Sequence, residues 1–192
     1  MLRRGFKSQC ERRSVELRRT LARRPFEPLP STEVARHYHV EVWHPKDIVG
    51  IPANDLQHLL GPGREEWSGF TLRIGARHLA VLNSAQSEAR QNSVLMHELA
   101  HIILGHELAS AIFTDSGELV PSTYGQDQED EAAWLGGTLL LPRPALLWMR
   151  HQRLSDEDGA AHYGVSLDLM RWRIRMTGID YQLGVGDRRA TK

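Results

Sequence analysis

The sequence predicts an α+β fold, in which a small, mostly antiparallel sheet packs beside a helix and a helical C-terminal half follows. Segments 70–74 and 78–82 alternate apolar and polar residues as half-buried strands do, and the tight connection at 75–77 predicts a hairpin. From Ser87 the apolar spacing changes from two to about 3.6 residues, which is the period of an α-helix. Further helical patterns extend to residue 177, so helices dominate the second half.

The remaining elements follow in chain order. Ser31 is a plausible N-cap of a short helix over 32–39, and alternation at 40–43 predicts a strand. Another short helix is expected over 52–60, before the hairpin, and the helix from Ser87 ends near Gly105. A polar loop is expected over 114–127. Helices are then expected over 128–141, 143–152, 155–163 and 166–177, the last two capped by Ser155 and Ser166.

Length and composition describe a globular chain. A chain of 192 residues suits one domain or a domain with a short appendage. Its 41% hydrophobic and 25% charged residues are typical of proteins with a packed core. No apolar run approaches the ~18 residues of a membrane-spanning helix, and a net charge of zero does not indicate a nucleic-acid partner. The single cysteine, Cys10, excludes an internal disulfide and fits a cytoplasmic protein.

The first 30 residues differ in composition from the rest, and we predict there a basic arm with a proline-rich linker. Residues 1–24 hold nine basic and two acidic side chains, without the apolar stretch that a signal peptide would add. Segment 10–24 has the spacing of a helix with one thin apolar stripe. We expect this stripe to pack on the domain; the alternative is an arm for nucleic acid or an acidic partner. The domain itself is placed at 31–183, with a polar tail at 184–192.

A metal-binding pattern interrupts the apolar helix that starts near Ser87. Residues four apart on a helix differ by about 40° around its axis, so His97 and His101 point the same way and can bind one zinc ion. Zinc lowers the pKa of a bound water towards ~7. Glu98 is placed to accept that water's proton and to return it to the leaving amine after attack on a peptide carbonyl. The pattern therefore predicts a zinc-dependent protease.

The third protein ligand decides the class of site, because catalytic zinc sites keep three ligands and a water whereas structural sites have four. His106 lies in the wrong register for a third histidine, and on a continued helix it would face about 180° away from His97. Glu131 is the better candidate, because Gly136 and Gly137 in the same helix indicate that another backbone passes close by.

From the residues alone, two interpretations of Glu131 stay open. It is either a zinc ligand or one exposed carboxylate of an acidic run that also contains Asp127, Glu129 and Asp130. Asp127 or Asp130 could instead hydrogen-bond a ligand histidine and orient it.

Three motifs in order carry a family resemblance over about residues 31–178. Residues 96–106 read MHELAHIILGH, where the family has HELxHxxLxH. Residues 131–142 read EAAWLGGTLLLP, similar to EANxFAxxLLMP, and residues 160–174 read AAHYGVSLDLMRWRI, similar to AxxFxVSxxxVxxRL. The chain thus resembles the ImmA/IrrE family of metallo-endopeptidases. It departs from the family pattern at Ala133, Leu135 and Gly136, where Asn, Phe and Ala are frequent.

The resemblance implies a zincin-like fold and one Zn²⁺ per chain. It assigns Glu131 as the third ligand beside the two histidines of the motif, and Glu98 as the catalytic base. Family members act in bacteria and cleave a helix-turn-helix repressor, which derepresses its genes. The resemblance therefore implies a cytoplasmic endopeptidase with a repressor as its protein substrate and no membrane partner.

Two other functions and one catalytic role stay open at this point. The chain could regulate a repressor by binding it without cleavage, or could hydrolyse a non-peptide substrate with the same zinc. The residue that stabilises the oxyanion is not assigned; the candidates are Tyr124, His151, His162 and Tyr163.

Overall fold

The computed structural model describes residues 2–106, 112–113, 119–120 and 125–184. Its strands are β1 (Val40–Trp43), β2 (Gly69–Ile74), β3 (Arg77–Leu82), β4 (Ile112–Phe113) and β5 (Leu119–Val120). Its helices are α1 (Phe6–Thr20), α2 (Ser31–His37), α3 (Ala53–Leu60), α4 (Glu88–Leu104), α5 (Gln126–Leu140), α6 (Arg143–His151), α7 (Asp156–Tyr163), α8 (Leu167–Thr177) and α9 (Ile179–Gln182), with a 3₁₀ turn at Pro45–Asp47. The α+β class is confirmed.

The helix starts follow the capping chemistry of the sequence. The hydroxyls of Ser87, Ser155 and Ser166 accept hydrogen bonds from backbone amides three residues further on, as N-cap residues do. Ser31 differs from the prediction, because it is the first residue of α2 and its own amide donates to Asn92 Oδ1 at 2.9 Å. That bond ties the start of α2 to α4.

The three-stranded sheet is mixed, whereas the sequence predicts a mostly antiparallel one. Its order is β1-β3-β2, and β2 and β3 form the predicted antiparallel hairpin. Strand β1 pairs with β3 in parallel, with Val40 opposite His78. Parallel pairing needs a long crossover connection, and α3 together with β2 provides one between β1 and β3. Alternation identifies a strand, but it does not reveal the direction of the strand's partner.

Helix α1 packs its stripe on α5. Phe6, Cys10 and Leu17 are buried there. The fully buried Arg18 donates to the carbonyl of Leu140 at 3.3 Å, and Ser14 Oγ donates to the carbonyl of Thr138 at 3.0 Å. These bonds satisfy carbonyls that the end of a helix leaves without partners. The basic segment thus contributes a packed helix, while the division of the chain at residue 30 remains a prediction.

Helix α4 is central, because it packs on the sheet along one side and on α5 along another. A Cβ atom on Gly136 would lie 3.2 Å from the carbonyl oxygen of Met96 and 3.3 Å from the Cα atom of His97. The prediction that another backbone passes close to the paired glycines is therefore confirmed for Gly136. Gly137 faces a different neighbour, since its Cβ would lie 2.8 Å from the ring of Trp172 in α8.

Two predicted segments lie partly outside the described residues. Within the loop expected at 114–127, strand β5 and the start of α5 at Gln126 are described, and residues 114–118 and 121–124 are outside. Of the tail expected at 184–192, only Gly184 is described. In the part of the chain that is described, none of the helices has the length and apolar character needed to cross a membrane.

Candidate metal centre

Three side chains from α4 and α5 converge on one point. The Nε2 atoms of His97 and His101 are 3.1 Å apart. Glu129 of α5 places Oε2 3.1 Å from His97 Nε2 and Oε1 3.6 Å from His101 Nε2. Ligand atoms bound tetrahedrally to zinc at about 2.0–2.1 Å lie about 3.3–3.4 Å from one another. The three distances therefore fit a single ion.

Burial favours the neutral form of both imidazoles, which is the form that binds metals. Burial lowers the pKa of the fully buried His101 to about 3, and the neighbouring His97 and His106 add to the shift. Burial also lowers the pKa of His97, although the Glu129 carboxylate opposes this. Neutral imidazole offers a lone pair to a metal. Two such rings and a carboxylate make a donor set that catalytic zinc sites use, so the residues present fit zinc.

Glu98 lies beside this group and is held by the sheet. Its side chain is buried, which raises the pKa of the carboxyl to about 7. Thr71 of β2 opposes that shift by donating a hydrogen bond from Oγ1 to Glu98 Oε2 at 2.8 Å. A carboxyl group with a pKa near 7 can take up and release a proton at neutral pH.

Glu131, which the resemblance assigns as third ligand, occupies a different face of α5. Residues two apart on a helix differ by about 200°, so Glu129 and Glu131 point to nearly opposite sides. Glu131 Oε2 lies 3.3 Å from His106 Nε2, and His106 Nδ1 lies 3.0 Å from His101 Nδ1. The structure therefore brings Glu129, and not Glu131, to the Nε2 atoms of the histidine pair. In the described residues, His97, His101 and Glu129 form the group of three that could hold a metal ion.

A cleft of about 330 Å³ opens beside His97 and Glu98. Arg90 lies in its wall, and its guanidinium donates to Ser68 Oγ at 3.1 Å. Concave, largely apolar space next to a few convergent polar groups is typical of ligand sites. The lining residues are Ser68, Gly69, Arg90, Ser93, Val94, His97, Glu98, Ala133, Gly136, Gly137, Leu140 and Leu169.

Of the four candidates for oxyanion stabilisation, the three that the structure describes do not line this cleft. Tyr163 is buried, and its hydroxyl lies 2.9 Å from the carbonyl oxygen of Phe26. His162 stacks on Trp148, and His151 is the exposed last residue of α6. Tyr124 lies outside the described residues. The described candidates thus have positions that fit packing or solvent contact.

Comparison with known proteins identifies the family. The family model of the IrrE N-terminal-like domain, Peptidase_M78, matches residues 57–175, which is more than half of the 192-residue chain. The chain belongs to this family. The resemblance to ImmA/IrrE peptidases is confirmed, and α4 and α5 with all three convergent side chains lie inside the matched region. No protein of the curated set matches the chain significantly.

Glu129 was not predicted from the sequence of this IrrE-like peptidase to lie beside the histidine pair, although the sequence contains a signal for that position. Gly136 marks the side of α5 that faces the histidine helix. Glu129 precedes it by seven residues and so lies within about 20° of the same face. Glu131 precedes it by five residues and lies about 140° away. The glycine that predicts a close approach thus selects Glu129.

Proposed function

We propose that this IrrE-like peptidase is a zinc-dependent endopeptidase, with one Zn²⁺ per chain held by His97, His101 and Glu129. The observation that carries the proposal is the spacing of their three ligand atoms, which matches the edges of a tetrahedral zinc site. When bound, zinc would polarise the peptide carbonyl and acidify the attacking water. Its role as a peptidase metal is also supported by the family.

The chain's own residues carry the proton. Glu98 takes the proton from the attacking water and returns it to the leaving amine. Thr71 holds one carboxylate oxygen of Glu98, which restricts rotation of the group and leaves its other oxygen to exchange the proton. The cleft beside His97 and Glu98 is the place for a substrate side chain next to the cleaved bond.

As substrate we propose a helix-turn-helix transcriptional repressor, whose cleavage derepresses its genes. The ImmA/IrrE resemblance supports this substrate class, and membership of a peptidase family supports a protein substrate in general. A repressor substrate would place the enzyme in the cytoplasm, which agrees with the single, buried Cys10.

Incubation of the purified zinc-loaded protein with helix-turn-helix repressors from the same organism tests the proposed reaction. We expect mass spectrometry to find two repressor fragments with wild type and intact repressor with Glu98→Gln, while both proteins retain about one zinc per chain. Cleavage at the wild-type rate by Glu98→Gln would refute the assigned base. An intact repressor that nevertheless leaves its DNA in the presence of the protein would indicate regulation by binding.

A pair of matched variants tests the third ligand. Glu129→Gln and Glu131→Gln remove one carboxylate each from positions two residues apart in α5. Loss of a direct ligand should weaken zinc binding by more than the about 10–100-fold that follows loss of a ligand's hydrogen-bond partner, so we expect a larger loss in Glu129→Gln. The opposite order, measured by competition with a chromophoric chelator, would make Glu131 the ligand.

A further inference from the structure

The ring of His101 has polar partners on both of its nitrogens. Its Nε2 atom faces His97 and Glu129, and its Nδ1 atom lies 3.0 Å from Nδ1 of His106. The ring is fully buried, so a ring nitrogen here cannot exchange its protein partner for water at little cost. The contact with His106 therefore helps to orient the ring of His101.

The end of α4 brings His106 back onto His101. Gly105 has φ 68°, in the left-handed region, so the chain reverses and does not continue the helix. The amide of His106 donates to the carbonyl of His101 at 3.0 Å, and the amide of Gly105 donates to that of Ile102 at 3.1 Å. This pair of bonds is the Schellman closure of a helix. It explains why His106 lies against the histidine pair although a continued helix would turn it away.

The carboxylate of Glu131 contacts the far side of the His106 ring. Glu131 Oε2 lies 3.3 Å from His106 Nε2, and Glu131 Oε1 lies 3.5 Å from Arg3 Nε. The side chains of His106 and Glu131 are only 7% and 19% exposed. Polar contacts that are shielded from water to this extent fix geometry better than exposed ones do.

Glu131 determines which atom donates in each of the two contacts that link Glu131, His106 and His101. A carboxylate only accepts, so His106 donates to it from Nε2–H, and in the tautomer with its proton on Nε2 the Nδ1 atom carries a lone pair. That lone pair accepts from Nδ1–H of His101. The lone pair of His101 is thereby left on Nε2, the atom that faces Glu129 and His97.

We infer that His106 and Glu131 are positioning residues, which hold His101 in the Nδ1–H tautomer and aim its Nε2 lone pair at the metal. The inference rests on the proposed zinc ligands. It gives Glu131 a function other than direct coordination. It also gives a function to His106, which follows the end of α4 and does not belong to the helix that carries His97 and His101. His106 is not itself a ligand of this ion, because it contacts the nitrogen of His101 that points away from Glu129.

Zinc affinity in a graded set of variants tests the inference. His106→Leu removes the acceptor for His101 Nδ1–H, and we expect zinc to bind about 10–100-fold more weakly. His106→Asn keeps an acceptor at the position of Nδ1 and should recover part of the loss. Glu131→Ala leaves His106 in place without its acceptor and should cause a smaller loss than His106→Leu. Urea unfolding of the apo proteins shows whether a variant is folded before zinc is added.

The tautomer provides a second readout that a purely structural role would not move. Nitrogen-15 NMR distinguishes protonated from unprotonated ring nitrogens. In the apo wild type, we expect His101 to carry its proton on Nδ1. In His106→Leu, we expect the Nε2–H form to gain population, because Nδ1–H loses the acceptor that His106 provides.

The outcomes separate this inference from the proposed function. In one outcome, wild type binds zinc and Glu129→Gln does not, while His106→Leu binds zinc as tightly as wild type and leaves the tautomer of His101 unchanged. The positioning role is then wrong, and the metal site stands. If Glu129→Gln binds zinc like wild type, the proposed ligand set is wrong. If wild type binds no zinc, the proposed function fails, and the tautomer of His101 alone decides whether His106 sets it.

Discussion

The contact between α4 and α5 at Gly136 sets the distance between His97 and Glu129, and Gly136→Ala would perturb it. The added Cβ would meet Met96 O at 3.2 Å and His97 Cα at 3.3 Å, both shorter than the 3.4–4 Å of ordinary van der Waals contact. Both atoms belong to the backbone of α4, so no side chain can turn aside. The helices must separate by a few tenths of an ångström.

The size of the effect follows from this shift. Ligand distances in metal sites are fixed to within about 0.2 Å, so a shift of a few tenths exceeds the tolerance of a site whose His97 and Glu129 atoms are 3.1 Å apart. We expect zinc to bind about tenfold more weakly, which is about 1.4 kcal/mol. Alanine gains about 1 kcal/mol in helix propensity and overpacking costs about 1–3 kcal/mol. The net loss of unfolding free energy should be about 0–2 kcal/mol.

Gly137→Ala is the matched control, one residue further along the same helix. Its Cβ would meet the ring of Trp172 at 2.8 Å and not α4, so we expect it to lower the unfolding free energy more than Gly136→Ala does, with zinc affinity unchanged. Chelator competition gives the affinities, and urea unfolding of the apo proteins gives the stabilities. Equal zinc affinities in wild type and Gly136→Ala, or a loss confined to Gly137→Ala, would refute the reasoning.

Three further predictions concern the base and α1. Thr71→Val removes the 2.8 Å hydrogen bond to Glu98. Because a lost bond to a buried group costs about 1–3 kcal/mol, we expect about tenfold slower repressor cleavage at unchanged zinc affinity. Thr71→Ser keeps the hydroxyl and should recover the rate. Burial raises the pKa of Cys10 to about 12, so at pH 8 a thiol reagent should label the folded protein at least about 100-fold more slowly than the unfolded one; rapid labelling would mean that α1 detaches. Glu11→Gln removes the charge that lies 2.7 Å from the fully buried Arg173, and urea unfolding should show a loss of about 1–3 kcal/mol, whereas an unchanged midpoint would count against a stabilising pair.

The parts of the fold that depend on short-range patterns could be predicted from the sequence. The helix starts predicted at the caps Ser155 and Ser166 agree with the structure, because a cap acts within one turn of the chain. The hairpin was predictable for the same reason, since its register depends on the connection at 75–77. The parallel partner of β1 was not predictable, because it lies about 38 residues further along the chain and no local signal specifies its direction.

The same distinction applies to the candidate site. His97, Glu98 and His101 lie on one helix, so their relative directions follow from helix geometry. His106 escaped that reasoning, because the left-handed turn at Gly105 reverses the chain after the helix ends. A glycine after an apolar helix predicts such an end, but not which side chain the reversed segment will contact.

The geometry of the site depends on two separate interfaces of α4, which explains why the five-residue motif does not define the site. The interface with α5, closest at Gly136, places Glu129 against the histidine pair. The interface with β2 places Thr71 on Glu98. A change at the first interface should therefore weaken metal binding, whereas a change at the second should slow catalysis with the metal retained. Because α1 bonds to the last carbonyls of α5, the basic N-terminal segment supports the first interface and belongs to the structure that holds Glu129 beside the histidine pair.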